Sequence, residues 1–270
     1  MWEKLGQMLN KQKSGTEKTP EANHALEERV LAQKWFYRYE LPSGRVTEQY
    51  ISPEGDHIHT TRREMMLAAL ESDFQAHGDN LTAIDFSSHQ GFFSLALAKR
   101  CKSVLGLEYQ RRHVESAKLI RDALGVKNVE FREEDLETMS PGKYPPADIV
   151  ICFGLLYNLE NPIGVLRRAR ELTKRVLLVE TQTTILDMEG AIDSGHYSAT
   201  NYMHGYFGVF SGNPDNIDGS ASDIVLYPSR GGLLWVLKKL GFQEARVLPP
   251  PPGAYQQLAT GKRIMVEARL

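Results

Sequence analysis

Cysteine is scarce in this chain: Cys101 and Cys152 are the two among 270 residues. Two thiols cannot build a disulfide framework or a four-thiolate zinc site. A surplus of either charge is also missing. Lys and Arg number 32 against 34 Asp and Glu, a formal net charge of −2, which argues against a generally basic nucleic-acid surface while leaving room for a local patch. No apolar run approaches the roughly 18 residues that a membrane-spanning helix needs. The opening MWEKLGQMLNKQKSGTEK lacks an apolar core with a small-residue cleavage site. These absences point to a cytoplasmic protein with no membrane partner. Internal repeats are lacking too. The stretch nearest to a metal-ligand spacing is Asp56-His57-Ile58-His59, and no metal site is expected from it.

What is present is organised in blocks. Residues 1–19 are polar and Lys-rich and read as a flexible arm. Residues 20–77 read as an N-terminal cap. It has an amphipathic helix over 21–36, a hairpin over 37–50 around the turn Leu41-Pro42-Ser43-Gly44, and a helix from a Thr60 or Thr61 cap to Leu70. Strand and helix patterns then alternate: strands at 81–86, 103–108, 129–132, 147–153 and 175–180, with helices at 91–99, 112–124 and 162–172. A helix over 229–240 and strands at 242–248 and 262–268 follow. Such alternation implies an α/β fold, a doubly wound and mostly parallel seven-stranded sheet with helices on both faces. Its core spans 78–185 and 228–270. Between them, 186–227 shows no clear periodicity and reads as an insert covering a substrate.

In such a sheet, ligands sit beyond the carboxyl ends of the strands. The first strand ends at Asp85 and runs through Phe86-Ser87-Ser88-His89-Gln90-Gly91 into a helix, whose N-terminal amides favour an anionic group. Glu108 closes the second strand, where an acid can accept hydrogen bonds from ribose hydroxyls. Asp135 follows the third strand on the same rim.

These residues resemble the motifs of class I S-adenosylmethionine-dependent methyltransferases. The run Asp85-Phe86-Ser87-Ser88-His89-Gln90-Gly91-Phe92-Phe93-Ser94 is similar to the first motif, Asp-x-Gly-x-x-x-Gly followed by aromatic residues and Ser. Glu108 matches the ribose-binding acid, Glu134-Asp135 the adenine-side acid, and Phe153-Gly154-Leu155-Leu156-Tyr157 the turn after the fourth strand. Residues 148–180, Pro228-Ser229 and Gly241-Phe242 most resemble bacterial methyltransferases related to the tRNA wobble-uridine carboxymethyl transferases. The resemblance implies a Rossmann-like fold, S-adenosylmethionine as cofactor, and a donor-binding set of Asp85, Ser87, His89, Gly91, Phe92, Glu108, Tyr109, Asp135, Leu136 and Phe153. Two positions depart from it: Ser87 replaces a glycine, and Asn158 stands where relatives carry His.

Candidates for the acceptor side are Tyr157, Glu180, His196 and His204, with Asn158, Tyr197 and Tyr206 nearby. His57, His59, Arg62 and Arg63 can hold an anionic substrate. Each has a plainer role open to it: Tyr157 as packing, Glu180 as a structural pair, His196 and His204 as solvated loop residues, and Arg111-Arg112-His113 as a solvated helix start. The charge balance and Asn158-Leu159-Glu160 favour ordinary S-adenosylmethionine and a small-molecule oxygen or nitrogen acceptor. Two other readings stay open: a tRNA uridine-modifying transferase, and a non-catalytic interaction module whose crowded Ser87–Gln90 loop fills the donor pocket. A homodimer also stays open.

Overall fold

The computed structural model describes residues 20–140, 142–184, 186–193, 200–213 and 223–270. The expected arm lies outside them, as do His196 and Tyr197. The chain runs α1 (Pro20–Leu31), α2 (Pro53–His77), β1 (Thr82–Phe86), α3 (Phe92–Ala98), β2 (Ser103–Glu108), α4 (Arg111–Ala123), β3 (Val129–Glu133), β4 (Ala147–Phe153), α5 (Pro162–Leu172) and β5 (Thr173–Gln182). It continues through β6 (Gly190–Asp193), β7 (Thr200–Met203), β8 (Phe207–Ser211), β9 (Ile224–Pro228), α6 (Arg230–Lys239), β10 (Glu244–Leu248), α7 (Gln256–Ala259) and β11 (Arg263–Arg269).

Seven strands form one sheet in the order β10-β11-β5-β4-β1-β2-β3. All neighbours pair in parallel except β11, which is antiparallel to both β5 and β10. The order reverses between β1 and β4, the switch point where such sheets receive ligands. Alternation along β4 splits the core into two layers. Ile149 and Ile151 join Met66 and Leu70 of α2, Leu97 of α3 and Ile120 of α4. Val150 and Cys152 join Leu166 of α5 and Leu237 of α6. A period of two on a sheet covered on both faces is what makes these strands apolar throughout.

Local chemistry places the helix starts. Asn161 accepts a hydrogen bond from the Gly164 amide at 2.9 Å, with Pro162 as the first residue of α5; this is the side-chain cap followed by a pre-set φ. Helix α2 begins at the Ser52-Pro53 cap rather than at Thr60 or Thr61, because Ser52 accepts from the Gly55 amide. The helix then runs on to Gly78. Residues 35–41 keep the alternation of a strand, with Trp35, Tyr37, Tyr39 and Leu41 buried. They do not form the expected hairpin strands: single bridges join Glu40 to Val46 and Trp35 to Gln49. Their buried rings pack on the domain instead of building a ladder.

The insert is more regular than its sequence implied. Strands β6 and β7 form one two-stranded sheet, β8 and β9 another. Ser229 secures its end, accepting from the Tyr206 amide at 3.0 Å and the Gly232 amide at 3.2 Å. Among the described residues no helix is long and apolar enough to cross a membrane.

Candidate functional site

Beyond β1 the chain turns through Ser87 at φ 63° and His89 at φ 48°, both in the left-handed region. An L side chain there costs about 1–2 kcal/mol, so the loop keeps a glycine-type shape despite its sequence. Gly91 is also left-handed, at φ 88°. A Cβ on it would lie 2.6 Å from the Phe131 ring, so backbone strain and close packing both require glycine. The loop is held from both sides. Glu108 accepts from the His89 amide at 2.9 Å and the Gln110 amide at 2.8 Å. From the cap, Tyr39 donates its hydroxyl to the Gln90 carbonyl at 2.8 Å, and Gln90 Oε1 accepts from the Phe36 amide at 2.9 Å.

The aromatic residues of the cap close over this loop. Tyr37 stacks face to face on Phe92 with centroids 4.8 Å apart. His89 lies against Phe36 at 4.9 Å and against the buried His113 at 3.7 Å. His113 is therefore part of the loop's packing, not of a solvated helix start. Burial pushes the Tyr37 phenol well above its usual range, with Arg62, Asp85, Glu108 and Tyr157 all within electrostatic reach of it.

Asp85 is buried beneath the loop and accepts from the Ser94 hydroxyl at 2.6 Å. Burial drives its carboxyl up to about 7; the Ser94 bond opposes that rise and the Glu108 charge adds to it. A carboxylate so desolvated is stabilised by any cation brought beside it. Asp135 accepts from the Glu137 amide and the Thr138 hydroxyl, each at 2.9 Å. Leu136 and Phe153 are buried in the two core layers, and Tyr109 is 60% exposed at the rim. Asp85, Ser87, His89, Gly91, Phe92, Glu108 and Phe153 thus share the strand ends around the switch point, with Tyr109, Asp135 and Leu136 farther along the β2–β3 edge.

The acceptor-side candidates divide. Glu180, on β5, is fully buried between Arg62 of α2 and Arg263 of β11, each 2.8 Å away. Burial alone would raise its carboxyl, but the two guanidinium charges outweigh it and hold the carboxyl below the usual carboxylate range. Tyr157 joins the group by accepting from Arg263 at 3.3 Å. His59 completes it, with Nδ1 2.7 Å from Arg62 Nη2. His204 is elsewhere: its ring stacks on Trp235 of α6 at 5.0 Å. Tyr206 donates its hydroxyl to the Leu186 carbonyl at 2.9 Å. His57 faces Tyr255 while His59 faces Phe36 and Tyr37, so the Asp56–His59 stretch does not converge as ligands. Arg63 lies over the Phe92 ring at 5.2 Å.

Three residues escaped the sequence reading: Tyr37, Arg263 and Tyr227. Tyr227 lines the way out from Tyr157, at 5.7 Å, to Phe210, at 4.4 Å. A strand alternation leading into the first motif was the available signal for Tyr37. For Arg263, opening the last strand after a Gly-Lys turn, sequence offered none.

Comparison with known proteins agrees with this geometry. The family model described as "Methyltransferase domain" matches residues 77–195. The ubiquinone biosynthesis O-methyltransferase of Leptothrix cholodnii is 29% identical over 99 residues, 36% of this chain and 41% of that enzyme; the match spans about two fifths of its length. Among solved structures, the N-terminal domain of EvdMO1 with S-adenosylhomocysteine bound superposes with a TM-score of 0.67 at 22% identity, covering 95% of this chain and 98% of that one. A longer EvdMO1 structure is about half covered, at 49%. Magnesium protoporphyrin IX methyltransferase from Synechocystis PCC 6803 with bound S-adenosylmethionine gives 0.55 at 16% identity, covering 82% and 86%. Residues 77–195 of this chain therefore carry a methyltransferase domain, set in a fold shared with proteins solved holding S-adenosylmethionine or its product.

Proposed function

We propose that this S-adenosylmethionine-dependent methyltransferase acts on an oxygen or nitrogen of a small molecule. In this reading, residues 20–77 form the cap and 186–227 the acceptor cover. The observation that carries it is the pairing of buried Asp85 with the left-handed Ser87–Gly91 loop that Glu108 anchors. The residues fit the donor's chemistry. Asp85 suits an ammonium group. Glu108 uses two of its roughly four acceptor positions on backbone amides, leaving others for ribose hydroxyls. Leu136 and Asp135 suit the adenine side, and Phe92 and Phe153 the apolar floor.

When bound, S-adenosylmethionine supplies a methyl group on a positively charged sulfur, already an electrophile. The protein's part is then alignment and exclusion of water. Tyr37 and Phe36 exclude water over the loop, and the Tyr157–Tyr227–Phe210 wall provides aromatic surface for the acceptor. Glu180 acts as a positioning residue here, since two arginines occupy its oxygens. A small acceptor is further supported by the relatives: one acts in ubiquinone biosynthesis, and the EvdMO1 domain was solved in the presence of D-fucose. A tRNA acceptor would call for a broad basic face, which the net charge of −2 does not provide.

Calorimetric titration with S-adenosylhomocysteine tests the reading. Saturable binding is the expected result, with Glu108→Ala weakening it by about 1–3 kcal/mol through loss of a charge-assisted hydrogen-bond acceptor. No heat at millimolar ligand from folded protein would overturn it.

A further inference from the structure

Where β4 and β5 end and β11 begins, three charged side chains are sealed together. Glu180 is fully buried, and Arg62 and Arg263 each keep 6% of side-chain exposure. Two guanidiniums thus share one carboxylate. Among the described residues neither arginine has a second acidic partner. The other buried acids nearby are engaged elsewhere: Asp85 with Ser94, Glu108 with two backbone amides. The cluster therefore holds one unbalanced positive charge in a place where water cannot solvate it.

The hydrogen-bond donors give the same answer. A guanidinium can only donate, so His59 Nδ1, 2.7 Å from Arg62 Nη2, must accept, and the imidazole proton sits on Nε2. That Nε2 and Arg62 Nε are both buried with no hydrogen-bond partner among the described residues. Tyr157 Oη accepts from both terminal nitrogens of Arg263, which leaves its own proton to donate. Gly154 provides the opening. A Cβ there would stand 3.3 Å from Arg62 Nη1 and 3.5 Å from Tyr157 Oη, so the missing side chain leaves a niche between two donors at the end of β4.

We propose that Arg62, His59 and Tyr157 form an anion subsite over Gly154 that takes a carboxylate of the acceptor. The inference rests on the methyltransferase reading and narrows its substrate to small molecules ionised at neutral pH. His59 serves there as a neutral donor, because burial, reinforced by Arg62, drives its imidazole down to about 2. Arg263 and Glu180 are positioning residues that fix Tyr157 and Arg62.

The test is calorimetry on the full chain saturated with S-adenosylhomocysteine, titrated with benzoate and with its neutral counterpart benzamide. Benzoate is expected to bind at least tenfold more tightly. Arg62→Met is expected to weaken benzoate at least tenfold while moving S-adenosylhomocysteine affinity less than threefold, with circular dichroism reporting the fold. Tyr157→Phe, which leaves the ion pairs in place, is expected to weaken benzoate three- to tenfold and decides the matter if Arg62→Met fails to fold. Equal binding of the two probes, or none, overturns the subsite. So does an Arg62→Met variant that weakens S-adenosylhomocysteine but not 5′-methylthioadenosine, since the anion would then be the donor's own carboxylate. Titration of the wild type with S-adenosylhomocysteine alone judges the methyltransferase reading separately.

Discussion

On the β1–β2 side of the cleft the buried charges are carboxylates, Asp85 and Glu108, held by a hydroxyl and by backbone amides. On the β4–β5–β11 side they are guanidiniums, Arg62 and Arg263, held by one carboxylate and a phenol. Both sides face the same switch point. The first lies within a contiguous motif, where residues close in sequence meet through a turn. The second is assembled from α2, β5 and β11, with partners 118 and 83 residues apart. An acidic half suits the ammonium and ribose of a nucleoside-amino acid donor, whereas a cationic half suits an anion. Their opposition gives the cleft a direction.

The largest test of that comparison is Glu180→Gln. Removing the one negative charge between two buried arginines should cost about 3–5 kcal/mol of stability in urea unfolding. A loss below about 1 kcal/mol would mean that the arginines are not electrostatically dependent on Glu180.

Asp85→Asn probes the acidic half, and pH supplies its sign. The folded carboxyl titrates at about 7 against an ordinary 3.8. Between those values the native state binds more protons than the unfolded one, so this group's contribution falls as pH rises from about 4 to 7. His59 works in the opposite sense. Its folded value of about 2 lies below the ordinary 6.5, so its contribution is lost as pH falls below 6.5. At pH 8 the Asn variant should be more stable than wild type by about 1–3 kcal/mol and bind S-adenosylhomocysteine at least tenfold more weakly. Unfolding curves from pH 4 to 8 check both, and an unchanged pH slope in the variant would dissociate Asp85 from the effect.

The smallest effect belongs to the loop that joins the two halves. Ser87→Gly relieves a left-handed serine and should stabilise the protein by at most about 1 kcal/mol, the gain offset in part by the greater freedom of glycine when unfolded. Thermal unfolding would show it, and a loss of stability would indicate that the Ser87 side chain contributes more than its strain.

Much of the scaffold was legible beforehand. The strand at 147–153 and the helix at 162–172 were read to the residue, because an apolar run and an Asn-Pro cap are local signals. The start of α2 was misplaced since Thr60 and Thr61 imitate a cap, while the effective one is Ser52-Pro53. The insert's strands were missed because β8 and β9 are short and partly exposed, so burial stamped little alternation on them. His204 is a lesson in reach: a histidine in the right segment still turns to whichever surface its strand presents, in this case Trp235.

Sequence by itself determined the alternation of strands and helices, the turn after β1 and the acids at the strand ends, because each depends on neighbours within a few residues. Tertiary structure decided what faces that turn. It brought Tyr37 and Phe36 down onto the loop, and it set Arg62 and Arg263 against Glu180 across the sheet. The reason is physical: the energy of a buried charge depends on which partners the fold delivers to it, and no stretch of the chain read alone names partners more than a hundred residues away.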